Sequence, residues 1–146
     1  MNSGNLKYGI VSGLAGGIVF GGMMGMMGML PMIGQMAGSP SAALGLLVHL
    51  FISGFIGATF AFLFGSRVNT RTAGVGYGLL YGAIWWILGP LTLMPLMMGM
   101  GVAWTVPGAI QALPSLMGHL IYGSILGWTY GQLQCRNCAM PTLEAH

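Results

Sequence analysis

Apolar positions do not alternate with polar ones along this chain; they run together. Four stretches, from Tyr8 to Ile33, Ala42 to Gly65, Ala73 to Met98 and Ala109 to Leu133, contain no Asp, Glu, Lys or Arg. Each is long enough to cross a hydrocarbon core of about 30 Å as a helix rising about 1.5 Å per residue. Strands of a membrane barrel would show a two-residue alternation over roughly ten residues, and none of the four does. The first stretch also exceeds the roughly seven to fifteen apolar residues of a signal peptide, so it is expected to stay in the mature chain. The pattern predicts an all-α membrane protein with four transmembrane helices.

Within those helices the small residues recur in step. Gly9, Gly13, Gly17, Gly21 and Gly25 stand four apart in the first run, and Gly74, Gly78 and Gly82 do so in the third. The second run carries His49, Ser53, Gly57 and Ala61 at the same spacing, and the fourth answers with His119, Gly123, Gly127 and Gly131. Val48-His49-Leu50 and Gly118-His119-Leu120 open the two matching segments. The chain therefore reads as two helical-hairpin repeats, 8–66 and 73–133, followed by a tail, 134–146. Both hairpins begin on the same side, so they are parallel repeats about a pseudo-twofold axis along the membrane normal. Glycine costs a helix about 1 kcal/mol relative to alanine. Glycine-zipper packing, in which backbones approach closely at a crossing near 40°, would offset that cost.

Composition and charge sharpen this reading. Only 3% of the 146 residues are charged, and the mean hydropathy is +0.82. Lys7, Arg67, Arg71 and Arg136 all fall on one side of the four runs. By the positive-inside rule that side is cytoplasmic, giving a multi-pass protein of the inner (plasma) membrane with both termini inside. The net charge of +3 is too sparse and scattered to mark a nucleic-acid partner; the lipid bilayer is the expected one. Pro31, Pro90, Pro95 and Pro114 gather toward the outer half, which is expected to be the less regular half. Trp104 in the second outer loop fits an interfacial anchor.

The candidate chemistry also lies in the outer half. Methionine is concentrated at positions 23, 24, 26, 27, 29, 32 and 36, and again at Met94, Met97, Met98 and Met100. Met29 continues the glycine row from Gly25 and matches Met94 in the second repeat. His49 and His119, each at the head of a small-residue ridge, are expected to face a protein neighbour instead of lipid. Two imidazoles and two thioethers form a soft, neutral ligand set that suits Cu(I), and imidazole or thioether also serves as an axial ligand of haem iron. Diagonal helices of a four-helix bundle, roughly 11 to 14 Å apart, would leave room for a porphyrin between the histidines, whereas a tighter diagonal would admit only an ion. Against this stands plain packing, since methionine fills irregular gaps beside glycine.

Other chemistry is sparse. Cys135-Arg136-Asn137-Cys138 is a C-x-x-C in the tail, a weak zinc signal without further ligands, and His146 could add one only across an oligomer. Glu144 is the sole acidic residue, so acid–base catalysis has no agent and no enzymatic activity is expected.

Gly78-Leu79-Leu80-Tyr81-Gly82, Met94-Pro95-Leu96-Met97 and the stretch from Gly118-His119-Leu120 to Tyr130-Gly131 resemble a family of small four-helix bacterial and archaeal membrane proteins. The resemblance implies the four-helix fold and a role for the histidines, and it carries no activity. The methionine content departs from that family's pattern.

The expectation is a non-enzymatic membrane protein holding b-type haem or copper between His49 and His119, with Met29 and Met94 as secondary ligands, for redox or metal handling. One alternative is a small transporter or channel lined by Ser53, Thr59, Tyr122, Ser124 and Thr129. Another is a structural subunit, or a homo-oligomer, docking through its glycine ridges.

Overall fold

The computed structural model describes residues 3–138. They form the helices α1 (Ser3–Met26), α2 (Leu30–Met36), α3 (Ala42–Phe64), α4 (Arg71–Leu88), α5 (Met94–Met97), α6 (Val106–Gln111) and α7 (Leu113–Cys138), with a π-turn, Gly89–Leu93, joining α4 to α5. No strand occurs among the described residues. Three helical segments are long and apolar enough to cross a membrane: Asn5–Met26, Ala42–Phe64 and Arg71–Met97. Helix α7 matches them in length, at 26 residues, but falls short in apolarity. Its sequence includes Ser115, His119, Tyr122, Ser124 and Tyr130, and the two tyrosines are buried in the bundle. Polar groups used inside the protein dilute its average hydropathy.

The first apolar run does not continue to Ile33 as one helix. It stops at Met26, where Gly28 takes a left-handed φ of +68°. The Gly28 amide donates to the Gly25 carbonyl and the Met29 amide to the Met24 carbonyl, at 3.2 and 2.9 Å, the paired bonds of a Schellman stop. Pro31, in the first turn of α2, restarts the helix where its missing N–H is least costly. Met29 therefore sits in the turn and does not extend the glycine row.

The third run crosses its proline differently. Around Pro90 the backbone widens into the π-turn, with the Met94 amide reaching back to the Gly89 carbonyl. Thr92 Oγ1 donates to the Ile87 carbonyl at 2.7 Å, so a side chain takes up one of the loosened acceptors.

Glycine decides how the helices meet. On α1, Gly9 and Gly13 abut Gly57 of α3, Gly17 abuts Ser53, and Gly21 abuts His49. On α4, Gly74 and Gly78 abut the carbonyls of Gly127 and Gly123 on α7, and Gly82 abuts that of His119. A Cβ at Gly74, Gly78 or Gly82 would collide with the backbone of α7, and one at Gly9 or Gly13 with that of α3.

The two seams between these pairs are unlike. Helix α1 lies broadly against α7, whereas α3 and α4 barely touch. What joins α3 to α4 is a set of large side chains near the arginine-bearing end: Thr59 Oγ1 and Tyr81 Oη stand 2.6 Å apart, and Phe60 and Phe64 stack near Tyr81 and Tyr77. Phe60, Leu126 and Tyr130 form the fully buried centre. Leu47, Phe51, Phe55 and Phe62 of α3 face outward and are exposed.

Candidate functional site

Where α3 and α4 part, the bundle holds a cavity of about 680 Å³. His49, His119, Met29 and Met94 all line it, together with Met24 and Trp85. Its position follows from the side chains. Aromatic rings close the arginine end, while glycine, proline and methionine at the other end leave space unfilled. Tyr122 Oη donates to the Ser53 carbonyl at 2.8 Å, tying α7 to α3 beside the histidines.

Each imidazole is oriented by a backbone carbonyl. His49 Nε2 stands 3.0 Å from the Gly17 carbonyl oxygen of α1. That approach needs the bare surface of α1, because a Cβ at Gly21 would sit 3.0 Å from His49 Cδ2. His119 Nδ1 stands 2.8 Å from the Ser115 carbonyl one turn earlier in its own helix, and 3.3 Å from Ser115 Oγ. A carbonyl can only accept, so these contacts fix the tautomers: His49 carries its proton on Nε2 and His119 on Nδ1. His49 Nδ1 and His119 Nε2 keep their lone pairs, and neither has a hydrogen-bond partner among the described residues. His119 Nε2 lies on the side of Gly89, where the π-turn begins, 3.7 Å from the position a Cβ would take there.

Phe20 was not among the residues the sequence pointed to. Its ring meets His49 and His119 edge to face, with centroids 5.4 and 5.0 Å away, and Gly118 makes room for it. The signal in the sequence was faint but present: Phe20 is the one aromatic residue between Gly9 and Gly25. Met24 belongs to the methionine concentration without being singled out as a ligand, and Trp85 went unmarked because a mid-helix apolar residue reads as packing.

Three of the hydroxyls considered as a pore lining are turned back onto their own helices, and that of Tyr122 is spent on α3. Ser53 donates to the His49 carbonyl at 2.7 Å, Ser124 to that of Leu120 at 2.7 Å, and Thr59 to that of Ile56 at 2.9 Å. Such bonds satisfy a hydroxyl without presenting it to a passing solute.

Among the described residues no three His, Cys, Asp or Glu gather into a metal-binding group; a metal here would depend on methionine. Cys135 Sγ donates to the Asn69 carbonyl at 3.4 Å. The side chain of Cys138 and the whole of Glu144 and His146 lie outside the described residues. Trp104 is exposed, and its Nε1 donates to Thr92 Oγ1 at 3.0 Å.

Comparison of the chain with protein-family models, with curated proteins and with solved structures finds no match. The site has to be read from its own chemistry.

Proposed function

We propose that this is a four-span membrane protein of the plasma membrane that binds a soft monovalent metal ion, Cu(I) in the cell, in the cavity beneath its methionine-rich end. Helix α7 serves as the fourth span, because it runs beside α1 and α4 and meets α4 through the same kind of glycine contact that joins α1 to α3. The two glycine-packed pairs form the parallel hairpin repeats. The positions of Lys7, Arg67, Arg71 and Arg136 support a cytoplasmic location for the opposite end by the positive-inside rule.

One observation carries the metal reading: each histidine commits one ring nitrogen to a backbone carbonyl, and both border a single methionine-lined cavity. Metal-binding histidines are commonly held in this manner, since a bond from the second nitrogen sets the tautomer and makes the first more basic. Neutral imidazole and thioether match Cu(I), and they need no carboxylate inside a span. Phe20, touching both rings, favours an ion held on one side over a porphyrin between them. His119 Nε2 with Met94, and His49 Nδ1 with Met29, are the ligand pairs.

The test is a titration of purified protein in detergent with Cu(I), and with Ag(I) as a redox-inert substitute, followed by metal analysis and X-ray absorption. Stoichiometric metal with mixed nitrogen and sulfur neighbours, lost in His49→Ala/His119→Ala, is the expected result. Absence of stoichiometric metal refutes the reading, and a Soret band in the same preparation would replace the ion with haem.

The cavity's size favours a second reading. At about 680 Å³ it is far larger than an ion and falls in the usual range for small organic ligands. A neutral lipophilic molecule could enter from the bilayer between α3 and α4. Mass spectrometry of solvent extracts from the purified protein would show such a molecule, and its displacement by Phe20→Trp would place it in the cavity.

A further inference from the structure

We propose a second, thioether-only site for Cu(I) or Ag(I) on the outer face of the protein, formed by Met32 and Met36 of α2 with Met97 and Met98 at the end of α5. The inference rests on the proposed metal reading for its biological cargo and orientation, and on separate residues for its geometry. Met32 and Met36 stand four apart on α2, which puts both on one helix face. Met97 closes α5 and Met98 follows it. These four line a shallow cavity of about 440 Å³ between the two short helices, with Gln35 and the prolines Pro31 and Pro40 completing the wall.

Three of them, Met32, Met36 and Met98, also line the larger cavity that holds the histidines. The outer cluster is therefore the partition between the protein's outer face and the imidazole site, and an ion arriving from outside meets these sulfurs first.

Packing does not account for this placement. A methionine that fills a gap in a core is buried, whereas Met32, Met97 and Met98 are exposed. Nor is methionine spread evenly over the outward apolar surface. The exposed large apolar residues of α3 are leucine, phenylalanine and isoleucine, with no methionine among them. Exposed thioethers thus collect at one end, and three of them, Met32, Met97 and Met98, face a common hollow, whereas Met26, Met27, Met100 and Met117 are exposed outside it. Uncharged sulfur ligands discriminate strongly: they suit Cu(I) and its analogue Ag(I), and hold Mg(II), Ca(II) or Mn(II) poorly.

Silver is the probe, since it is diamagnetic and stays monovalent. The full chain, labelled with [methyl-13C]methionine in detergent micelles, is titrated with Ag(I) while bound silver is counted by metal analysis. The four methyl signals are assigned by single Met→Leu changes, which nearly conserve volume. The expected result is a shift of the Met32, Met36, Met97 and Met98 methyls that persists in His49→Ala/His119→Ala. In addition, M32L/M36L/M97L/M98L should bind one equivalent of silver fewer than the unaltered chain. Unmoved methyls in the unaltered chain overturn the proposal, as does equal silver uptake by the quadruple variant. Loss of the methyl shifts in the histidine variant also overturns it, because the cluster would then have no affinity of its own. If the histidine variant binds as much silver as the unaltered chain while the outer methyls shift, the cavity reading fails and the outer site stands.

Discussion

The two ends of the bundle are built from the same helices and solve the packing problem in opposite ways. At the arginine end, glycine ridges bring backbones together, and the remaining space is taken by Phe60, Tyr81 and Tyr130, whose rings lie 5.5 and 5.6 Å from one another through Phe60. Helices there are regular. At the methionine end the chain breaks at Gly28, widens at Pro90 and borders a half-open cavity. A ring that fits its neighbours fixes a helix separation, whereas flexible thioethers beside glycine tolerate empty volume. Aromatic packing is concentrated at one end, and the other stays open.

That contrast can be broken most severely at the glycine seam. Gly127→Val would push a side chain into the Gly74 carbonyl; a loss of about 3 kcal/mol or more, read by detergent-titrated unfolding, is expected, and a near-neutral outcome would mean that α4 and α7 are not in close contact. Next in size is Phe60→Ala, which empties a site with no solvent exposure and should cost about 3–5 kcal/mol.

Smaller effects sharpen the difference between the ends. Tyr122→Phe leaves the Ser53 carbonyl without its 2.8 Å donor and should cost about 1 kcal/mol, with silver binding retained if the hydroxyl only braces the cavity. The smallest change in stability belongs to Met94→Leu, below about 1 kcal/mol because the volume is nearly kept. Silver affinity, measured by competition, should nonetheless fall in that variant; unaltered affinity would remove Met94 from the ligand set.

Much of this was legible because periodicity is a local property. Continuous apolar runs, glycines at every fourth position and the twin His-Leu segments could be read without knowing what faces what. His49, His119, Met29 and Met94 were marked by residue chemistry and by position in matching segments, and all four line one cavity. Other features were invisible for definite reasons. The stop after Met26 depends on a left-handed glycine at position 28, indistinguishable in a run of glycines from those inside the helix. Phe20 became part of the site only because α1 leans on α7, and no sequence period encodes which neighbour a ring will touch. The unequal seams could not be foreseen from matching halves: similar helices were expected to pair similarly, but bulky rings at one level of α3 and α4 and small or flexible groups at another hold them in contact at one end only.

What the sequence determined by itself was the helical character, the apolar surface and the supply of soft ligands, since each follows from the identity and spacing of residues along one chain. What only the tertiary structure decided was the pairing of His49 with the Gly17 carbonyl, the wedge of Phe20 against both imidazoles and the cavity between them. These depend on the distance and angle between helices far apart in sequence, quantities set by the balance of all contacts at once.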